Sequence, residues 1–320
     1  MRALVTGAAG FIGSSLVDRL LNDGHDVVGI DTFTNYYSRK IKEKNLSRAR
    51  DYSNFRLFEK DICRDDVSPL FDGVTDVFHL AGQPGVRKSW GIDFDDYLSW
   101  NVLATQRLLE IAKFNESLRS FVFASSSSVY GNQPKFPSSE LDLPQPVSPY
   151  GVTKLAAEHM CCLYAKQFDV PTVSLRYFTV YGPRQRPDMG INKMINALID
   201  DKNFKIYGDG NQLRDFTYID DVVEANLYAA TYAQAFNQRG AIFNVGGNGT
   251  VSINELIGMI EEISGLKMRK IYSDAMAGDP RTTCADAQKI KKETGWVPSI
   301  PIRIGIKDQF NWTKIDKFSN

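Results

Sequence analysis

Cysteine is scarce in this sequence: Cys63, Cys161, Cys162 and Cys284 are the four in 320 residues. None has metal-ligand spacing, and the adjacent Cys161 and Cys162 point different ways on an expected helix. The expectation is therefore a reduced intracellular protein with no metal site, not a disulfide scaffold. Histidine is scarcer still, at three, and none has a Ser or Cys partner in sequence that would suggest a hydrolytic nucleophile. Net charge is absent too. Lys plus Arg and Asp plus Glu are both 38, so no global basic field points to nucleic acid or anionic lipid. An anionic ligand must then be held by local arginines and backbone amides. No stretch has the ~18 uninterrupted apolar residues of a membrane span. Gly7 to Gly10 break the first apolar run, so no signal peptide is expected. A soluble, cytoplasmic protein without a membrane partner is expected.

What is present is ordinary globular composition, 43% hydrophobic, in a chain long enough for one large or two modest domains. Ala3-Leu4-Val5 predicts a buried strand. Gly7, Gly10 and Gly13 follow at once, and Leu16, Val17, Leu20 and Leu21 give a helix stopped near Gly24. Val27 to Ile30 predicts a second strand ending at Asp31. Strand, glycines, helix, strand and acid in that order predict a dinucleotide site. The glycines with Phe11 and Ile12 would let the backbone and the helix N-terminus meet a pyrophosphate. Asp31 would accept from the adenosine ribose and repel a 2′-phosphate, so NAD is expected over NADP. Asp61 and Ile62 follow another strand, with the acid placed to meet the adenine amino group. His79 lies in the apolar run 76–82 and reads as structural. The basic run 39–50 reads as a solvated helix face. Tyr97 to Phe114 predicts one helix, and Ser120 to Ser125 a strand. Such alternation predicts a Rossmann-type, doubly wound parallel sheet whose ligands lie off the strand C-termini. Residues 1–179, with 219–247 returning, are expected to form it. Residues 180–218 and 248–320 mainly form a smaller α/β ligand-binding region.

The chemistry is expected where Ser125 to Ser128 ends a strand and Pro149 opens a helix running to about Gln167. Tyr150 and Lys154 share one face of that helix. A free phenol titrates near ~10. A neighbouring ammonium or a nicotinamide cation lowers that value, which equips the phenol to take a hydroxyl proton as the adjacent carbon loses hydride. On its own, Tyr-x-x-x-Lys equally fits a surface pair.

Taken together, Gly7/Gly10/Gly13, Ser126 with Tyr150 and Lys154, Arg176-Tyr177-Phe178, Gly208-Asp209-Gly210, Arg214-Asp215-Phe216 and Gly278-Asp279-Pro280 resemble the extended short-chain dehydrogenase/reductases, in particular the nucleotide-sugar 4-epimerases. Segments 31–37, 79–87 and 178–189 look more like the UDP-glucuronate type than the UDP-galactose type. The resemblance implies that Tyr150 takes the sugar 4-OH proton as hydride leaves C4 for NAD, and that the 4-keto sugar rotates and is reduced on its other face. Ser126 would bond the reacting oxygen. Lys154 would bind the nicotinamide ribose and lower the phenol pKa, where a change from ~10 to ~7 amounts to about 4 kcal/mol. Leu80, Ala81, Ser125, Asn35, Asn101 and Tyr177 would support the cofactor.

On the substrate side, the resemblance places Arg214, Asn192 and the amide of Lys193 on a diphosphate, and Gln212 and Asp279 on the uridine ribose. Thr179 stands where the galactose type usually carries an Asn. Related dehydratases and decarboxylases carry an acid in the segment that here reads Ser126-Ser127-Ser128. Without that acid, Ser127 and Ser128, helped by Arg186 or Arg87, are expected to hold a C6 carboxylate away from overlap with a C4 ketone. A UDP-glucose or UDP-N-acetylglucosamine 4-epimerase is the alternative, and a non-catalytic nucleotide-sugar sensor a second. The apolar stripes of 97–114 and 150–167 either pair in a homodimer or are buried within one chain.

Overall fold

The computed structural model describes residues 1–236, 239–274 and 280–318. Seven strands form one sheet: β1 (Arg2–Thr6), β2 (Asp26–Asp31), β3 (Phe55–Glu59), β4 (Asp76–His79), β5 (Ser120–Ser126), β6 (Thr172–Tyr177) and, later in the chain, β10 (Ala241–Val245). Their order is β3-β2-β1-β4-β5-β6-β10, every neighbouring pair parallel. Side chains of successive strand residues go to opposite faces. Ala3 and Val5 accordingly join one apolar cluster and Leu4 the other. The first cluster is covered by α1 (Phe11–Asn22) and α7 (Ile219–Phe236), the second by α4 (Ala104–Ala112) and α5 (Pro149–Phe168). This is the doubly wound Rossmann arrangement, with the segment 219–245 back on the sheet.

Between these elements lie α2 (Arg39–Asn45), α3 (Phe94–Tyr97) and α6 (Gly190–Ile199). The remaining chain supplies two small sheets. β7 (Thr179–Tyr181) runs parallel to β9 (Leu213–Tyr218), which pairs antiparallel with β11 (Thr250–Ser252); β8 (Asn203–Tyr207) pairs with β12 (Arg269–Ser273). Helices α8 (Ile253–Ser264), α9 (Gln288–Thr294) and α10 (Ile302–Phe318) complete the chain.

Two predicted helices come out differently. The 97–114 helix is not regular: Leu98–Leu103 is a π-helical segment. That widened turn carries Asn101 inward, where it bonds Gln83 and Thr153, partners outside its own helix. The basic run is not a fully solvated face. Helix α2 stops at Asn45, and Lys42 is only 4% exposed, its ammonium donating to the Thr34 carbonyl at 2.8 Å.

Candidate active site

The C-terminal ends of β1, β2, β4, β5 and β6 open onto one cavity of about 440 Å³. Gly7, Gly10, Phe11, Ile12 and Gly13 line it at the start of α1. Glycine is required here by close approach. A Cβ on Gly13 would lie 2.0 Å from the Gly7 carbonyl oxygen, and one on Gly7 2.9 Å from the Ala81 nitrogen. Gly10 offers no side-chain cap to the helix, so its first-turn amides stay open to a ligand that lines up with the glycine loop.

Asp31, Ile62, Leu80 and Ala81 line the same cavity. The Asp31 carboxylate accepts from the amides of Ala9 (3.0 Å) and Phe33 (2.8 Å), so it also fixes the glycine loop. Burial pushes its pKa up, against those two amides and the nearby Lys42. Carboxylate oxygens carry four lone-pair sites, so acceptor capacity remains for ribose hydroxyls.

The chemical end gathers Ser125, Ser126, Ser127, Ser128, Tyr150, Lys154, Tyr177, Thr179 and Arg186. Helix α5 presents Tyr150 and Lys154 because Ser148 caps it, accepting from the Gly151 amide at 3.1 Å, with Pro149 in the first turn. Ser126 ends β5, and its oxygen accepts from the Ser128 amide at 3.1 Å, setting the 127–129 turn. Burial raises the Tyr150 phenol, while Ser126 and then the Arg186 charge favour its anion. Arg186 is a cation acting on this phenol that the sequence reading did not name for that role. Lys154 is buried, donates to the Ala124 carbonyl at 3.0 Å, and is lowered by desolvation to about 8. Its charge bears on His79. That imidazole is buried between the hydroxyls of Thr6 (2.7 Å) and Thr105 (3.0 Å) and is pushed down to about 3, so it is structural.

Some expected residues are already engaged. The Ser125 hydroxyl donates to Glu158, and the Tyr177 phenol to Asn226. Asn101 lies outside the lining and holds the Gln83 loop against α5. Asn35 is exposed, and Asp61 accepts from the Cys63 amide; neither lines the cavity. Arg87 stacks 4.6 Å over the Tyr207 ring. The Asn192 amide donates to Gln185 and the Lys193 amide to Met189, so neither amide is open to a diphosphate in this arrangement. Gln212 donates to the Tyr207 carbonyl, and Arg214 to those of Leu213 and Arg281. Asp279 lies outside the described residues.

Sequence reasoning missed Tyr36, Tyr37, Lys42 and Lys60, all in the lining. Tyr36 and Tyr37 stand in a segment already noted for its resemblance. Nothing in sequence separates Lys42 from Lys40 or Lys44. Groups of His, Cys, Asp or Glu able to hold a metal are absent among the described residues, as are helices long and apolar enough to cross a membrane.

Residues 3–246 match the NAD dependent epimerase/dehydratase family. The chain belongs to this family. NAD is accordingly its cofactor, and the glycine cradle, open first-turn amides and Asp31 fit that molecule. The chain is 42% identical over 310 residues to YtcB of Bacillus subtilis (strain 168), described as a UDP-glucose epimerase, covering 97% of this chain and 96% of that one. It is 36% identical to a UDP-glucuronate 4-epimerase of Thermodesulfobacterium geofontis (strain OPF15), covering 97% and 95%. The crystal structure of UDP-glucuronic acid 4-epimerase from Bacillus cereus, in complex with UDP-glucuronic acid and NAD, superposes with a TM-score of 0.94 at 43% identity. That match covers 98% of this chain and 99% of the other.

Proposed function

We propose that this member of the family inverts C4 of UDP-glucuronate, forming UDP-galacturonate. The observation that carries the reading is the turn after β5, which sets Ser126, Ser127 and Ser128 in one cavity with Tyr150 and Arg186 and puts no carboxylic acid among them. When bound, NAD supplies a reversible hydride acceptor. Tyr150 takes the 4-OH proton and later returns one to the same oxygen. Ser126, bonded through the 127–129 turn, holds that oxygen in line. Lys154, fixed by Ala124 beside the Asn101-buttressed loop, offers its remaining N–H groups to the nicotinamide ribose.

A C6 carboxylate β to a C4 ketone is prone to leave as CO2. Ser127 and Ser128 donate to it without adding negative charge, and Arg186 supplies the positive charge that holds its bond to the ring out of overlap with the ketone π system. Of the two arginines considered for this task, Arg186 lines the cavity and Arg87 does not. We assign 180–218 and 248–320 mainly to nucleotide-sugar binding. There Gln212 Oε1 is buried without a partner among the described residues, an acceptor suited to a uridine ribose hydroxyl. We also propose a homodimer through the exposed Leu98, Leu103, Val152 and Leu163 near and on α4 and α5, and a cytoplasmic site of action in keeping with four free thiols.

The test is product analysis with UDP-glucuronate, UDP-glucose and UDP-N-acetylglucosamine side by side. UDP-galacturonate as main product supports the reading. UDP-pentose as main product refutes retention of the carboxylate. Turnover of UDP-glucose alone favours the second reading, for which the likeness to YtcB speaks. A sensor would bind NAD and nucleotide sugar without reducing the NAD in a single turnover.

A further inference from the structure

Arg186 does not reach the cavity unaided. Its Nε and Nη2 donate to the two oxygens of Asp188, at 2.9 and 3.0 Å. The Tyr36 hydroxyl, from the segment after β2, donates to the same Asp188 Oδ2 at 3.3 Å. Arg186 and Tyr36 line the cavity, whereas Asp188 stands behind them. The Tyr36 hydroxyl lies close against the chain at Gly85: a Cβ there, at φ +101°, would be 2.5 Å from it. Burial and then Asp188 push that phenol up to about 12, so it stays a donor at neutral pH. A guanidinium has five N–H groups in a rigid fork. With two spent on Asp188, the orientation of the other three is fixed, as a single contact would not fix it.

We infer that Asp188 and Tyr36 form a latch between the segment after β2 and the segment after β7, and that Asp188 is the positioning residue that aims Arg186 at the anionic group of the substrate. Asp188 touches no substrate itself. Its negative charge would oppose an anionic ligand if it acted directly, so any help it gives must pass through Arg186. Only the identity of that anion, the C6 carboxylate, rests on the UDP-glucuronate reading.

The experiment is a double-mutant cycle in UDP-glucuronate binding to the NAD-loaded protein, measured by calorimetry, with Asp188→Asn, Arg186→Met and the pair. Direct repulsion by Asp188 predicts that Asp188→Asn tightens binding; the latch predicts that it weakens binding about tenfold or more. In the Arg186→Met background the same change should cost less than about twofold, because its effect has no path left. Tyr36→Phe should weaken binding in the same sense by a smaller factor, with the melting temperature held. Tightening, or a full Asp188→Asn loss that persists without Arg186, overturns the proposal. If Asp188→Asn does not fold, the Tyr36→Phe cycle with Arg186→Met decides by the same criterion. If the wild type binds UDP-glucose and not UDP-glucuronate, the substrate reading fails. The cycle is then run with UDP-glucose, where coupling between positions 188 and 186 supports the latch and simple additivity overturns it.

Discussion

In the proposed reaction Tyr150 is the residue on which the chemistry depends, and its surroundings set its pH behaviour. Replacing it with Phe removes the phenol that bonds Ser126, and turnover should fall at least about a hundredfold while NAD is still retained. Arg186 favours the phenolate, so it lowers the pKa that burial raises. Removing the charge in Arg186→Met must therefore raise that pKa. The acid limb of the pH profile for kcat/KM should move to higher pH, and an unchanged limb would contradict the electrostatic assignment. The meeting of Tyr150, Lys154 and Ser126 in one cavity was readable because the spacing of helix and strand ends is written in the chain. The burial of Lys42 was not, since it depends on a carbonyl, Thr34, presented by a loop of irregular backbone. The charge of Arg186 on the phenol was equally hidden, because it depends on how the fold brings the segment after β7 to the start of α5.

The elements that hold the site offer two tests of stability. Gly13→Ala would place a methyl group 2.0 Å from a backbone oxygen that cannot swing away. It should cost about 1–3 kcal/mol by thermal unfolding and weaken NAD retention more than a change on the far face of α1. Helix α5 is pinned to the sheet by Glu158, which takes two bonds from Arg176 (2.6 and 3.0 Å) and one from Ser125, while Arg176 also donates to Tyr130. Both charges are almost fully buried. Glu158→Ala should therefore cost about 3–5 kcal/mol in chemical denaturation, and the double change to Met at 158 and 176 much less. The strands and most helices were legible from apolar runs and glycine punctuation. The π segment at 98–103 was not, because a widened turn leaves the apolar stripe intact and is set by what Asn101 meets in space.

At the scale of the molecule, the parallel order of seven strands gathers glycine loop, acid, serines and catalytic helix at one edge, as the alternation of strand and helix predicted. Residues 241–247 were expected back at the sheet, and β10 takes its edge beside β6. The nucleotide end was less so: Asn192, Lys193, Gln212 and Arg214 carry suggestive side chains, yet each spends hydrogen bonds within the chain. The proposed dimer puts exposed Leu163 of α5 in an apolar interface. Leu163→Glu should convert the protein to monomer in sedimentation experiments, and a wild type that is already monomeric would remove this surface from the account. The most direct measurement uses UDP-glucuronate deuterated at C4, with the products resolved by NMR. The account predicts UDP-galacturonate that keeps both its carboxylate and the deuterium at C4. Loss of the label to solvent, or a UDP-pentose as the main product, would contradict it.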